Sequence, residues 1–159
     1  MRKIDQLLTE YGVSHQNETN KLIHWICVPL IFFSIVGLIW SIPSGALSFM
    51  EGSLGVFANW ATVVLALVLL YYIRLSPPLF FGMLLFSAAC LFMASVIVNS
   101  TTIPLWQISL GIFVLAWIGQ FYGHKVEGKK PSFLKDLQFL LIGPAWLMHF
   151  IYKKAGLKY

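Results

Sequence analysis

Four long apolar runs, at roughly 25–42, 54–73, 77–98 and 103–121, alternate with short polar segments along the chain. A membrane helix needs about 20 mostly apolar residues, so each run predicts a spanning helix. A fifth run, 137–152, is shorter and is interrupted by Gly143-Pro144. Proline removes a backbone donor and kinks a helix. This stretch therefore predicts a re-entrant or interfacial hairpin, with a tilted fifth span as second choice. Ahead of the first run, Ile4, Leu7, Leu8 and Tyr11 recur at the i, i+3, i+4, i+7 spacing of an amphipathic helix. Gly12 reads as its stop and the membrane surface as its resting place. The predicted fold class is all-α. It is a polytopic membrane helix bundle of four spanning helices, an N-terminal amphipathic helix and a C-terminal re-entrant or interfacial hairpin. Residues 1–159 form a single membrane-embedded domain.

Composition supports the bilayer reading. The chain is 58% hydrophobic and 11% charged, with a mean hydropathy of +0.79. Soluble domains carry about 25% charged residues. Basic residues set the orientation. Arg2, Lys3 and Lys21 precede the first run, and Arg74 lies between the second and third. Lys125, Lys129, Lys130, Lys135, Lys153, Lys154 and Lys158 follow the fourth, while the loops at 43–53 and 100–102 have none. Every basic residue thus falls on one side of a four-span arrangement, the cytoplasmic side. A crossing fifth run would carry Lys153, Lys154 and Lys158 outside, against that rule. The first ten residues show no signal-peptide pattern, so the first run is expected to remain as an anchor. Cys27 and Cys90 lie in apolar runs and read as buried thiols. Helix association is expected to rest on small residues such as Gly82, Ala88, Ala89 and Gly111.

The same arrangement brings four histidines, His15, His24, His124 and His149, to one cytoplasmic layer. Imidazole is the commonest metal ligand. In a helix from Asn17 to His24, residues Asn17, Asn20 and His24 share a face. Amides beside metal-binding imidazoles can fix ring orientation. The alternative is that Asn17 caps the helix and the histidines only solvate the interface. Glu127 follows His124 at i+3, and Gln120 lies one turn before it. Lys129 and Lys130 either meet an anionic leaflet, at about 1 kcal/mol each, or hold a substrate carboxylate. Four histidines suit a single metal ion. With imidazole and carboxylate ligands and no cysteine, iron(II) and zinc both fit.

The string Tyr11-Gly12-Val13-Ser14-His15-Gln16-Asn17-Glu18-Thr19-Asn20-Lys21-Leu22-Ile23-His24, with Val28-Pro29 after it, resembles the 2-hydroxy fatty acid dioxygenase family, long held as a membrane domain of unknown function. Gln120-Phe121-Tyr122-Gly123-His124, then Glu127 and Lys130-Pro131, is similar to its second signature, and Leu140-Leu141-Ile142-Gly143-Pro144 to its closing segment. The resemblance covers essentially the whole chain. It implies shortening of a 2-hydroxy fatty acid by one carbon, a step of fatty acid α-oxidation, with Fe(2+) as cofactor. It also implies His15, His24 and His124 as metal ligands, with Asn17, Asn20 and Glu127 as polar partners in catalysis. This chain departs from the family in two places. Members such as the yeast enzyme have three residues between the second-motif histidine and its glutamate, where two stand here. A glutamate is also expected near His149. Either His149 or Glu127 would then complete the metal site.

The expectation is an iron(II)-dependent dioxygenase whose partners are a 2-hydroxy fatty acid, molecular oxygen and membrane lipid, with no nucleic acid. The hydroxy acid would chelate through its hydroxyl and carboxylate, its chain lying between helices. The membrane would be the inner membrane in a bacterium and the endoplasmic reticulum in a eukaryote. Two other classes compete. One is a non-catalytic scaffold or lipid-binding protein with interfacial histidines. The other, a transporter or channel, is disfavoured because the spans hold almost no ionisable residues.

Overall fold

A computed structural model describes residues 2–128 and 133–157, with the backbone alone for 133–138. Among the described residues the regular elements are all helical. They are α1 (Lys3–Val13), α2 (Glu18–Trp40), α3 (Glu51–Leu54), α4 (Trp60–Leu75), α5 (Pro77–Ser100), α6 (Leu105–Glu127) and α7 (Phe133–Lys154). Short 3-10 turns at Gly45–Met50 and Gly55–Phe57 flank α3. The four apolar runs correspond to α2, α4, α5 and α6. Three of these, α2, α5 and α6, are long and apolar enough to cross a membrane. A fourth span exists if the turns at Gly45–Phe57 and α4, bent by 86° at their junction, count as one broken span. The reason is length. The 16 residues of α4 rise about 24 Å, short of a hydrocarbon core of roughly 30 Å. Large apolar side chains such as Leu67, Leu85, Phe92, Leu115 and Ile118 point outward on these helices, as lipid-facing positions do. The protein is therefore a membrane protein by the length and composition of its helices.

The tightest pairing is between α2 and α6, which run antiparallel. At one end Gly37 lies against Ser109, further along Gly119 lies against Cys27, and at the other end Gly123 lies against Asn20. A Cβ at any of these three glycines would come under 3.0 Å from the partner, so only glycine allows the approach. Gly119 and Gly123 form the small-x-x-x-small spacing that lets membrane helices meet closely. Of the small residues expected at helix contacts, Gly82 is one, packed against Met148 and Tyr152. Ala88 and Ala89 are exposed, and Gly111 faces open space. A run that is apolar all round carries no periodicity to say which face packs.

The expected C-terminal hairpin is corrected: α7 continues through Gly143-Pro144 as one helix. Packing on opposite sides offsets the proline penalty of about 3 kcal/mol. Ile142, Trp146 and Leu147 are buried against Ile4, Leu7, Leu8 and Tyr11 of α1, and against Val28 and Leu79. Gly143 admits the Tyr11 hydroxyl and Val28. The Tyr72 hydroxyl donates to the carbonyl of Leu141, close to the break in the hydrogen-bond ladder. Further along, the Tyr152 hydroxyl donates to the Pro78 carbonyl at 2.7 Å. The apolar face of α1 is the one its spacing predicts, Ile4, Leu7, Leu8 and Tyr11, but it packs against α7 instead of resting on the membrane surface. Gly12 sits within the last turn of α1, which ends at Val13 with Ser14 as its cap.

Candidate metal centre

Three elements deliver one histidine each. His15 stands in the turn between α1 and α2, His24 on the second turn of α2, and His124 on the last turn of α6. The antiparallel α2–α6 pairing places the start of one helix beside the end of the other. One ligand nitrogen from each of the three rings lies within 4.8 Å of the others. The ring centroids are 4.2 Å apart for His15 and His24, 5.4 Å for His15 and His124, and 5.2 Å for His24 and His124. All three pairs meet edge to face. His15 is 4% exposed and His24 is 1% exposed.

The hydrogen bonds determine what the nitrogens offer. His15 Nδ1 lies 2.6 Å from the Tyr11 carbonyl, and His24 Nδ1 lies 2.8 Å from the Asn20 carbonyl. A carbonyl only accepts, so each Nδ1 carries a proton, and in the neutral ring each Nε2 is then left with a lone pair. Those two Nε2 atoms face one another at 2.8 Å. Two lone pairs at that distance repel, and a cation between them turns the repulsion into attraction. Metal–nitrogen bonds of about 2.1 Å meeting at a right angle would place the nitrogens about 3 Å apart. The donor set thus fits a metal ion, with backbone carbonyls orienting the rings from behind.

Aromatic rings wall the centre. Tyr11 stacks on His15 at 4.2 Å and 9°, and the Trp146 ring lies 5.5 Å from the same imidazole. Phe139 meets Tyr11 edge-on at 5.3 Å. These contacts restrict the rotation of His15 and keep water from its flank.

The polar partners do different work. Asn17 is the N-cap of α2, and its Oδ1 accepts from the N–H groups of Thr19 at 2.9 Å and Asn20 at 3.4 Å. The buried Asn20 amide donates to the Ser14 carbonyl at 3.3 Å and to Glu127 at 3.0 Å. Glu127 also accepts from the backbone N–H of Gln16 at 2.8 Å and of Asn17 at 2.9 Å. Its carboxylate is thereby turned to the entry of α2.

Residues 1–155 match the family described as 2-hydroxy-palmitic acid dioxygenase Mpo1-like. The chain belongs to the Mpo1-like family. It is similar to the 2-hydroxy-palmitic acid dioxygenase MPO1 of Saccharomyces cerevisiae, 29% identical over 148 residues, which cover 90% of this chain and 76% of the yeast protein. No solved structure matches it.

In this Mpo1-like chain the structure brings together three of the four histidines. Among the described residues the metal-competent group is His15, His24 and His124, and neither His149 nor Glu127 belongs to it. The His149 ring packs beside Phe150 at 5.2 Å. Burial, then the nearby Lys153 charge, lower its pKa from the ordinary value, while Asp5 opposes the shift. Its neighbours are therefore those of the α1 start and the α7 end. Lys129 and Lys130 lie outside the described residues. Three contributors were missed from sequence. Tyr11 precedes His15 by the i, i+4 spacing at which helical side chains meet, and the Gly119-x-x-x-Gly123 spacing was also visible. Trp146 gave no local signal.

Proposed function

We propose that this protein is an iron(II)-dependent dioxygenase that shortens 2-hydroxy fatty acids by one carbon at the cytoplasmic face of its membrane. The observation that carries the reading is the pair of Nε2 atoms of His15 and His24 facing one another at 2.8 Å, with His124 beside them. Membership of the Mpo1-like family supplies the reaction class. Iron(II) held by these three imidazoles would supply the redox chemistry that lets oxygen react with a closed-shell acid. The chain's own contribution is positional. The carbonyls of Tyr11 and Asn20 hold the ring protons at Nδ1, and the rings of Tyr11 and Trp146 exclude water. Three protein ligands leave coordination positions for reactants. Lys129 and Lys130, which follow the left-handed turn at Gly128 (φ 71°) that ends α6, are assigned to the substrate carboxylate. Replacing both with alanine is expected to raise KM by roughly 10- to 100-fold or more with the bound metal retained, since a charged hydrogen bond contributes roughly 1.5–3 kcal/mol and about 1.4 kcal/mol is tenfold.

The test is metal content and turnover on one sample. Protein purified anaerobically in detergent is analysed for metal, then given iron(II), oxygen and 2-hydroxypalmitic acid, with the product followed by mass spectrometry. About one iron per chain and an acid one carbon shorter, both lost in His24→Ala and His124→Ala, are the expected results, given three protein ligands. Bound zinc without oxygen-dependent turnover would point to hydrolysis and overturn the proposal. Absence of both metal and product would leave the histidines as interface residues.

A further inference from the structure

We infer that Glu127 is a positioning residue of the histidine centre: its carboxylate ties the three histidine-bearing segments together from outside the ligand set. The inference rests on the metal reading above and adds a role for a residue that the ligand set leaves out.

Three hydrogen bonds carry it. One carboxylate oxygen accepts from the Gln16 N–H at 2.8 Å. The other accepts from the Asn17 N–H at 2.9 Å and from the Asn20 amide at 3.0 Å. An ionised carboxylate has about four acceptor sites, so most of its capacity is spent on these donors. Each bond reaches one of the histidines at a short remove. Gln16 is the residue after His15, so its N–H fixes the turn that carries that imidazole. Asn20 supplies the carbonyl that orients His24, and its side chain is held between Glu127 and Ser14. His124 lies one turn before Glu127 on α6, so anchoring Glu127 also fixes the last turn of that helix.

The charge has a physical reason to be where it is. At the end of its own helix a carboxylate meets the negative end of the α6 dipole, which is unfavourable. It lies instead at the entry of α2, against the N–H groups of the N-cap Asn17 and of Gln16 just before it, where the dipole is positive. The two helices are thus joined at the end where the metal ligands lie. Gly123 is the other half of the arrangement, since only a residue without a Cβ lets Asn20 fit between α2 and α6.

Cobalt(II) titration of the full-length protein in detergent tests the role, because its visible bands report both affinity and the ligand set. Glu127→Gln keeps the shape but presents an amide N–H to N–H donors. The expected result is the same stoichiometry and band pattern as the parent, with affinity weakened 10- to 100-fold, the usual cost of losing a group that supports a metal ligand. A changed band pattern would make Glu127 a ligand, and unchanged affinity would make it a surface contact; either overturns the inference. Should Glu127→Gln fail to fold, Asn20→Asp is compared with the pair Asn20→Asp/Glu127→Gln. Asn20→Asp sets two carboxylates against each other, whereas the pair restores one amide–carboxylate bond with its ends exchanged. Tighter cobalt binding by the pair than by Asn20→Asp supports the clamp, and equal binding overturns it. A parent protein that binds no cobalt would count against the metal reading itself.

Discussion

Replacing Gly123 with alanine should push apart the two helices that carry His24 and His124, while the same change at Gly111 should not. Both glycines lie on α6. A Cβ at Gly123 would come under 3.0 Å from the Asn20 side-chain oxygen and 3.4 Å from Ile23, whereas one at Gly111 meets nothing within 4 Å. Asn20 has no room to yield, because its amide is bonded to both Ser14 and Glu127. Overpacking costs about 1–3 kcal/mol, and loss of the Asn20–Glu127 bond adds about 1 kcal/mol. Alanine is the better helix former by roughly 0.8–1 kcal/mol, but that gain is common to both variants and cancels in their difference. Gly123→Ala should therefore be less stable than Gly111→Ala by about 2–4 kcal/mol, or roughly 5–15 °C in Tm for a chain of this size. Thermal unfolding by circular dichroism in one detergent, with bound metal per chain measured alongside, makes the comparison. Equal melting temperatures for the two variants would refute the close α2–α6 contact.

Three further outcomes follow from named contacts. Asn17→Ala removes the cap that serves Thr19 and Asn20, and should lower stability by about 1 kcal/mol while the metal stoichiometry stays at the parent value. Tyr152→Phe deletes the hydroxyl that joins α7 to the Pro78 carbonyl. It should cost about 1 kcal/mol in unfolding with metal content unchanged. His149 has a pKa lowered by burial and by Lys153, so as pH falls below its ordinary 6.5 the unfolded chain takes up the proton first. Its contribution is present above that pH and is lost below it. His149→Asn should flatten the acid side of the stability–pH curve between pH 6.5 and the lowered value, and retention of metal in that variant checks that His149 stands outside the ligand set.

Local patterns in the sequence were sufficient to place α1, α2, α4, α5 and α6, because an apolar run needs only its own length and composition to favour a helix in lipid. The 3.6-residue spacing of Ile4, Leu7, Leu8 and Tyr11 likewise identified the buried face of α1, and all four are buried. The basic residues placed the histidine-bearing segments at one end, and the two histidine motifs carried the resemblance that the family match bears out. The metal-ligand candidates could be narrowed to a handful of side chains from type and position alone.

Tertiary structure decided what those patterns leave open. Whether Gly143-Pro144 turns or continues depends on what packs around it. Here α1, α2 and the Tyr72 hydroxyl support a continuous helix. Which histidines meet is a matter of how α2 and α6 pair, and that follows from glycines whose importance appears only when a neighbour occupies the missing Cβ. Glu127 looked like a candidate ligand because it follows His124 by one turn. Its actual donors lie 107 to 111 residues away in the chain, a separation that no local spacing encodes. The proton positions on His15 and His24 were equally beyond the sequence, since they depend on which carbonyl each Nδ1 meets. Periodicity is a property of one segment, whereas a site is a property of the contacts between segments.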